Sequence, residues 1–204
     1  MPDHVHRERH GAKQPERFDP GGWARLDDPA RFEYLPPKEV LALLDAPHGA
    51  TVVDFGTGTG TYALEIARLR PDVHVIALDE QPQMLDLLRA KLQTDPPPNV
   101  EPVGIEALPR LRGAVPRILA INVLHEVGDA ALTDLRDLLT AEGNLVVIDW
   151  NAEVERPVGP PRAHVYAPSE ARARLEKNGF EVVRDCLFAY HYALIVRSAI
   201  SAQS

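Results

Sequence analysis

The sequence predicts an α/β fold in which a mostly parallel sheet carries helices on both faces and ends in an antiparallel hairpin. Short apolar segments alternate with amphipathic helical segments along most of the chain, which is the pattern of a parallel sheet with crossover helices. This alternation stops near the end, where segments 180–187 and 190–196 both look like strands and no helix separates them. Two strands joined by a short turn are antiparallel neighbours, so we expect a terminal hairpin.

Seven segments have the short apolar character of strands. In chain order they are 51–54, 73–78, 100–103, 118–121, 145–148, 180–187 and 190–196. The segments with apolar residues at helical spacing are 36–44, 62–69, 84–92, 130–139 and 169–178. Ser169 is expected to cap the last helix, and Asn178 with Gly179 to end it. The loop 95–99 holds three consecutive prolines, which exclude a helix there because proline restricts the residue before it.

The length and the pattern together indicate a single domain. The chain has 204 residues, with no internal repeat and no second apolar core, and this length is enough for one α/β domain. We divide it into an N-terminal arm, residues 1–34, and a main domain, residues 35–204. The arm mixes apolar anchors with turn signals, so it either closes over a site on the main domain or packs against a second copy in a homodimer. Its three histidines, His4, His6 and His10, have no cysteines or carboxylates at ligand spacing beside them, so no metal site is expected.

The net charge and the composition limit the classes of partner and the cellular compartment that we expect. A net charge of −8 disfavours nucleic acid as a partner, because phosphate binding needs a basic field. The sequence has no apolar run long enough to span a membrane and no apolar stretch near its start that resembles a secretory signal. The single cysteine, Cys186, lies in a strand predicted to be buried and excludes an internal disulfide. We therefore expect a cytoplasmic protein.

Three glycines at alternate positions, Gly56, Gly58 and Gly60, follow the first predicted strand. Glycine lets the backbone turn tightly and approach a ligand, while the next helix points free N–H groups at the same place. A dinucleotide fingerprint needs glycine or alanine where Thr61 stands. Asp54, before the loop, would repel a pyrophosphate but can hold an ammonium group through water. The expected ligand is a nucleoside with a positive amino-acid tail and no phosphate, and S-adenosylmethionine fits that description.

A carboxylate at the end of the second predicted strand supports this interpretation. Asp79 lies nineteen residues after Gly60, where a carboxylate accepts hydrogen bonds from both ribose hydroxyls. Alone, it is also explained as an acid near the start of the helix that follows Pro82. In combination with the glycine loop, the ribose-binding role is favoured.

With these residues in hand, the chain resembles the class I S-adenosylmethionine-dependent methyltransferases over about residues 35–197, through the motif Asp-Phe-Gly-Thr-Gly-Thr-Gly at 54–60. The resemblance implies a Rossmann-like seven-stranded sheet. Further motifs resemble a branch of small prokaryotic methyltransferases, which is distantly related to quinone-biosynthesis and arsenite methyltransferases. These motifs lie at 124–126, 148–150 and 159–161, and in the arm at 18–20 and 26–29. Arsenite methylation itself is excluded, because it needs several thiolates.

The resemblance also implies roles for individual residues. Met84 would pack near the adenine, Glu106 and Ala107 would read the adenine edge, and Asn122 would line the methionine part of the cofactor. Together with the glycine loop and the ribose carboxylate, the expected cofactor-binding set is Asp54, Gly56, Thr57, Gly58, Gly60, Asp79, Glu80, Met84, Glu106, Ala107 and Asn122.

Candidate catalytic residues follow the fourth and fifth predicted strands, at the edge where α/β sheets bind ligands. Methyl transfer mainly requires alignment and exclusion of water, with a base only when the nucleophile carries a proton. His125 has a suitable pKa for a base, and Asp149 or Glu126 would orient it or bind a cationic substrate. Trp150 would stack on a planar substrate, and Tyr62, grouped with it at the substrate, would touch the methionine end of the cofactor.

Simpler roles exist for each of these residues. His125 could cap the next helix or bond a buried backbone group, Asp149 could bond loop amides, and Trp150 and Tyr62 could pack in the core. The function predicted is methyl transfer to a small-molecule acceptor. The alternatives are a catalytically silent S-adenosylmethionine-binding partner or regulator, and a nicotinamide-dependent oxidoreductase, which Thr61 and Asp54 disfavour.

Overall fold

The computed structural model describes residues 20–94, 97 and 99–199. Several residues discussed above lie outside the described residues: His4, His6, His10, Phe18, Asp19, Asp95, Pro96 and Pro98.

The described chain is built around one seven-stranded sheet. Its strands are β1 (Thr51–Phe55), β2 (His74–Leu78), β3 (Val100–Val103), β4 (Val115–Ile121), β5 (Leu139–Trp150), β6 (Phe180–Leu187) and β7 (His191–Ser198). Their order in space is β3-β2-β1-β4-β5-β7-β6. Strand β7 runs antiparallel to both of its neighbours, while the pairs from β3 to β5 are parallel. The predicted sheet with a C-terminal antiparallel hairpin is confirmed.

Helices cover both faces of this sheet because its strands are apolar on both sides. They are α1 (Arg31–Tyr34), α2 (Pro37–Leu44), α3 (Thr61–Leu69), α4 (Pro82–Thr94), α5 (Leu108–Leu111), α6 (Asp129–Leu138) and α7 (Pro168–Lys177). Strand β1 places Val53 in one apolar cluster, with side chains of α6 and α7, and Val52 in the other, with side chains of α2 and α3. The Rossmann-like, three-layer arrangement follows from this alternation.

Strands β4 and β5 both begin earlier than predicted. Val115 pairs with Leu139, and an irregularity in register separates this pair from the regular ladder that starts at Arg117 and Asn144. The intervening residues Glu142 and Gly143 are polar or lack a side chain, so they gave no apolar strand signal.

The predicted cap of the last helix is wrong. Helix α7 begins at Pro168 with Ala167 as its N-cap, so Ser169 lies within the first turn. The backbone N–H of Ala167 donates to Glu170 Oε2 at 2.9 Å. Proline suits the first helical position, and the Glu170 carboxylate accepts the N–H of the N-cap residue itself.

The prediction that Cys186 lies in a buried strand is also wrong. Strand β6 is at the edge of the sheet, and Val183 and Leu187 on it are exposed. Cys186 is half-buried, and partial burial raises the pKa of its thiol. Edge strands have one unpaired side, which the apolar pattern of β6 alone does not reveal.

Among the described residues, no helix is both long enough and apolar enough to cross a membrane. The expectation of a homodimer stays a prediction.

Candidate functional site

The glycine loop between β1 and α3 has the backbone geometry that the sequence predicted. Gly56, Gly58 and Gly60 have φ values of +69°, +55° and +81°, in the left-handed region that side chains disfavour. A Cβ atom at Gly56 would lie 2.6 Å from Cγ2 of Val123. The loop can therefore approach the segment after β4 only because it has no side chain at that position.

Asp54 lies at the end of β1 and is 3% exposed. The Thr57 hydroxyl donates to Asp54 Oδ2 at 2.6 Å. Burial raises the pKa of Asp54 to about 6, although the hydrogen bond from Thr57 opposes the rise. Burial outweighs the opposing effects of Thr57 and Arg31, and an ammonium group in the neighbouring cavity would further favour the charged carboxylate.

Asp79 lies at the end of β2 and faces the glycine loop. Its Oδ2 accepts the backbone N–H of Gly58 at 2.7 Å, and its Oδ1 accepts that of Gln81 at 2.8 Å. Asp79 is 6% exposed, and burial raises its pKa. The carboxylate therefore holds the loop in place, and each oxygen keeps further acceptor capacity for the ribose hydroxyls expected there.

The residues expected around the adenine differ in their exposure. Met84 is buried on α4, and Ala107 is buried in the turn that follows β3. Glu106 is exposed, and its Oε1 accepts the N–H of Gly104 at 3.1 Å. Glu80 is exposed as well. The N–H of Asp79 donates to the carbonyl of Val103 at 3.2 Å, so the ends of β2 and β3 are adjacent.

His125 and Asp149 form a buried pair across the ends of β4 and β5. The His125 Nδ1 atom is 2.8 Å from Asp149 Oδ1, and the backbone N–H of His125 donates to Oδ2 at 3.0 Å. Asp149 is fully buried and also accepts the N–H of Trp150 at 2.7 Å. Because a carboxylate only accepts, Nδ1 carries the proton in this pair and Nε2 is left as the basic nitrogen. Asp149 thus both orients His125 and bonds loop amides.

The electrostatic surroundings of His125 favour its charged form. Burial lowers the pKa of His125, but the carboxylates of Asp149 and Glu126 outweigh that effect and leave the pKa above the ordinary value of 6.5. Glu126 Oε1 lies 3.6 Å from Nε2 of His125, close enough to stabilise an imidazolium. Helix α6 begins at Asp129 with Gly128 as its N-cap, so His125 does not cap it.

Asn122 directly follows β4 in a strained conformation. Its φ is +58°, one of two positive values among the described non-glycine residues. Its Oδ1 is buried and has no hydrogen-bond partner among the described residues. Strain and an orphaned acceptor at the end of a strand are typical of a ligand-binding position.

The two aromatic residues predicted at the substrate lie in different places. Tyr62 is buried, and its hydroxyl donates to the carbonyl of Leu35 at 3.0 Å. Trp150 packs at the end of β5 against His191, with ring centroids 4.0 Å apart, and Arg156 lies over it at 5.2 Å. Tyr62 therefore lies beside the glycine loop, whereas the buried Trp150 ring packs against Tyr34, His191 and Arg156.

Two further residues of the site were missed in the sequence. Arg31 of the arm is 9% exposed and lines a cavity of about 50 Å³ together with Asp54, Gly56 and Tyr62. His191 is fully buried, and neither of its ring nitrogens has a hydrogen-bond partner among the described residues. Burial lowers the pKa of His191 to about 3. No local pattern marks either residue, because each is placed by packing between distant segments.

Comparisons with known proteins agree with this geometry. A profile of the family described as "Methyltransferase domain" matches residues 52–143. The crystal structure of an S-adenosylmethionine-dependent methyltransferase from Aquifex aeolicus is 30% identical, has a TM-score of 0.82, and is matched over 88% of this chain and 98% of that one.

Curated relatives match over a shorter span. An uncharacterized methyltransferase of Mycobacterium tuberculosis is 33% identical over 123 residues, which are 59% of this chain and 47% of the relative. The ubiquinone/menaquinone biosynthesis C-methyltransferase of Geotalea uraniireducens is 27% identical over 50% of this chain and 46% of its own. This chain spans about half the length of these two relatives. The glycine loop, the sheet order and the likeness to the Aquifex aeolicus protein together show that the chain belongs to the S-adenosylmethionine-dependent methyltransferase family.

Proposed function

We propose that this protein transfers a methyl group from S-adenosylmethionine to a small-molecule acceptor by in-line displacement, with His125 as the general base. The observation that carries the proposal is the buried His125–Asp149 pair at the ends of β4 and β5. Strand β4 pairs with β1, so the base lies in the loop after the strand next to the one that leads into the glycine loop. The acceptor would lie between them.

The residues at the glycine loop fit the cofactor. Gly56 leaves space that a Cβ atom would fill, and Asp79 presents a carboxylate beside the loop. Asp54 is a buried acid with a raised pKa, which suits the ammonium of the methionine tail. When bound, S-adenosylmethionine supplies a methyl group activated by its sulfonium sulfur.

When its ring is neutral, His125 has the tautomer that a base needs. The Nδ1–H group is held by Asp149, so Nε2 is available to accept a proton from a hydroxyl, amine or other protic acceptor. Glu126, near Nε2, stabilises the imidazolium that forms. Trp150 is buried with His191 and Arg156 against its ring, so a planar acceptor would reach it only if Arg156 moved aside.

We also propose that the protein is cytoplasmic. A chain with one cysteine and a net charge of −8 fits a reducing, cytoplasmic setting and a small-molecule acceptor rather than nucleic acid.

The test is a methyl-transfer screen with S-adenosylmethionine and a panel of planar hydroxylated or nitrogenous small molecules. With an acceptor found, His125→Ala should lower kcat by about 10²-fold or more and leave the affinity for S-adenosylhomocysteine unchanged. His74→Ala is the matched control, because His74 is an exposed residue at the start of β2. Cofactor binding with no turnover on any acceptor would favour the catalytically silent alternative.

A further inference from the structure

The described part of the N-terminal arm, residues 20–34, lies directly on the glycine loop. Asp27 Oδ1 accepts the hydroxyls of Thr59 at 2.6 Å and Thr61 at 2.9 Å, and it forms an ion pair with Lys91 at 2.5 Å. The Thr61 hydroxyl also lies 2.9 Å from the carbonyl of Leu26. One carboxylate of the arm therefore ties it to the loop and to helix α4.

This attachment places Arg31 beside the cofactor loop. Its Nη1 donates to the carbonyl of Leu26 at 2.7 Å, and its guanidinium carbon is 5.4 Å from the centre of the Tyr62 ring. Arg31 is 9% exposed, so its charge is largely removed from water. The bond to Leu26 uses one of the five N–H donors of the guanidinium group.

The cavity that Arg31 lines has one anionic and one cationic side chain. Asp54 is the only anionic side chain among its described lining residues, and Arg31 is the only cationic one. The remaining lining residues are uncharged: Leu26, Gly56, Thr57, Gly58, Thr61, Tyr62 and Ile121. An α-amino-acid group carries one ammonium and one carboxylate, so the two charged side chains match its two charges.

We propose that Arg31 binds the carboxylate of the cofactor's methionine tail, so that the N-terminal arm closes on the cofactor rather than only on the protein. This inference rests on the proposed function, since it needs S-adenosylmethionine as the cofactor. A guanidinium group pairs with a carboxylate through two parallel hydrogen bonds. Asp54 and Arg31 then each pair with one charge of the zwitterion, and adenosine compounds without the amino-acid tail lose both contacts.

A purely structural role for Arg31 makes a different prediction. Arg31 also holds the arm through Leu26 and the Tyr62 ring. If that were its only role, its loss would weaken every adenosine ligand to the same degree. A ligand that lacks the carboxylate separates the two roles.

The experiment is calorimetric titration of wild-type protein and Arg31→Gln with S-adenosylhomocysteine and with 5′-methylthioadenosine, which keeps the nucleoside and the sulfur but lacks the amino-acid tail. We expect Arg31→Gln to weaken S-adenosylhomocysteine by about 10- to 100-fold, the cost of hydrogen bonds to a charged group. The affinity for 5′-methylthioadenosine should stay within about twofold. Equal weakening of both ligands, or no weakening of either, would overturn the assignment.

Two further variants keep the test decisive. Arg31→Lys keeps the charge but not the planar fork, so it should weaken S-adenosylhomocysteine by about 3- to 10-fold and leave 5′-methylthioadenosine unchanged. An equal loss for both ligands in this variant overturns the proposal even if Arg31→Gln does not fold. Arg89→Gln, an exposed arginine on α4 paired with Asp86, should change neither affinity. Failure of the wild-type protein to bind S-adenosylhomocysteine would instead overturn the proposed function.

Discussion

Asp149→Asn would keep the size of a fully buried side chain while removing the negative charge that faces His125. Asp149 accepts three N–H groups, from the backbone of His125, the backbone of Trp150 and the His125 ring. Asparagine keeps one acceptor oxygen and turns the other position into a donor. With hydrogen bonds to a charged acceptor contributing about 1.5–3 kcal/mol each, the variant should lose about 2–4 kcal/mol of unfolding free energy.

The same change should reverse the direction in which the pKa of His125 is shifted. In the native protein the Asp149 carboxylate outweighs burial and raises the pKa of His125. Without that charge, the desolvation of a mostly buried ring dominates, and the pKa should fall below the ordinary value of 6.5. A histidine whose folded pKa is raised contributes stability that is fully present below its unfolded pKa and is lost as the pH rises through the folded pKa. The stability gap between native protein and variant should therefore be larger at low pH than at high pH.

The assay is NMR titration of the histidine ring protons, with the His125 signal assigned by its absence from His125→Ala. Urea unfolding at a pH below 6 and at a pH above 8 measures the stability gap. Asp86→Asn, an exposed acid on α4 paired with Arg89, is the control and should change neither quantity. A His125 titration that is identical in native protein and Asp149→Asn would refute the account of the pair.

Two other predictions concern the glycine loop. Because burial raises the pKa of Asp54 to about 6, its charged form is present only above that pH, so the affinity for S-adenosylhomocysteine should rise between pH 5 and 7. Calorimetry across this range checks it, and a step that persists in Asp54→Asn would contradict it. Gly60→Ala places a Cβ against the Leu88 side chain at a φ of +81°, which should cost about 2–4 kcal/mol of stability. Gly113→Ala, at a φ of +66° with open space around it, should cost only about 1 kcal/mol of strain by urea unfolding, and equal losses in the two variants would argue against the packing at Gly60.

The fold could be predicted because it follows from local patterns in the amino-acid sequence. The alternation of apolar strands and helices, and the pair of final strands without a helix between them, depend on neighbours in sequence. The glycine loop was predictable for the same reason, since positive φ values at Gly56 and Gly60 leave a compositional signal. The start of β5 was not predicted, because residues such as Glu142 and Gly143 have no apolar pattern. This part of the strand is positioned by the pairing of β5 with β4.

The site was predictable only where a residue stands next to a strand end. His125 and Asp149 were both expected at the carboxyl edge, and in the structure His125 Nδ1 lies 2.8 Å from Asp149 Oδ1. Arg31 was not found, because its position depends on the arm folding back across the loop through Asp27. His191 was missed because a histidine at the start of β7 gives no sign that its ring stacks between Tyr34 and Trp150. Long-range packing of this kind cannot be read from sequence spacing.

The most direct measurement is parallel calorimetric titration of the purified protein with S-adenosylmethionine, S-adenosylhomocysteine and NAD. The arrangement of Asp54, the glycine loop and Asp79 predicts binding of both adenosyl compounds with Kd values of about 1–100 μM, about −8 to −5 kcal/mol, and no binding of NAD. Binding of NAD alone, or of none of the three, would contradict the central claim that this loop holds the methyl donor.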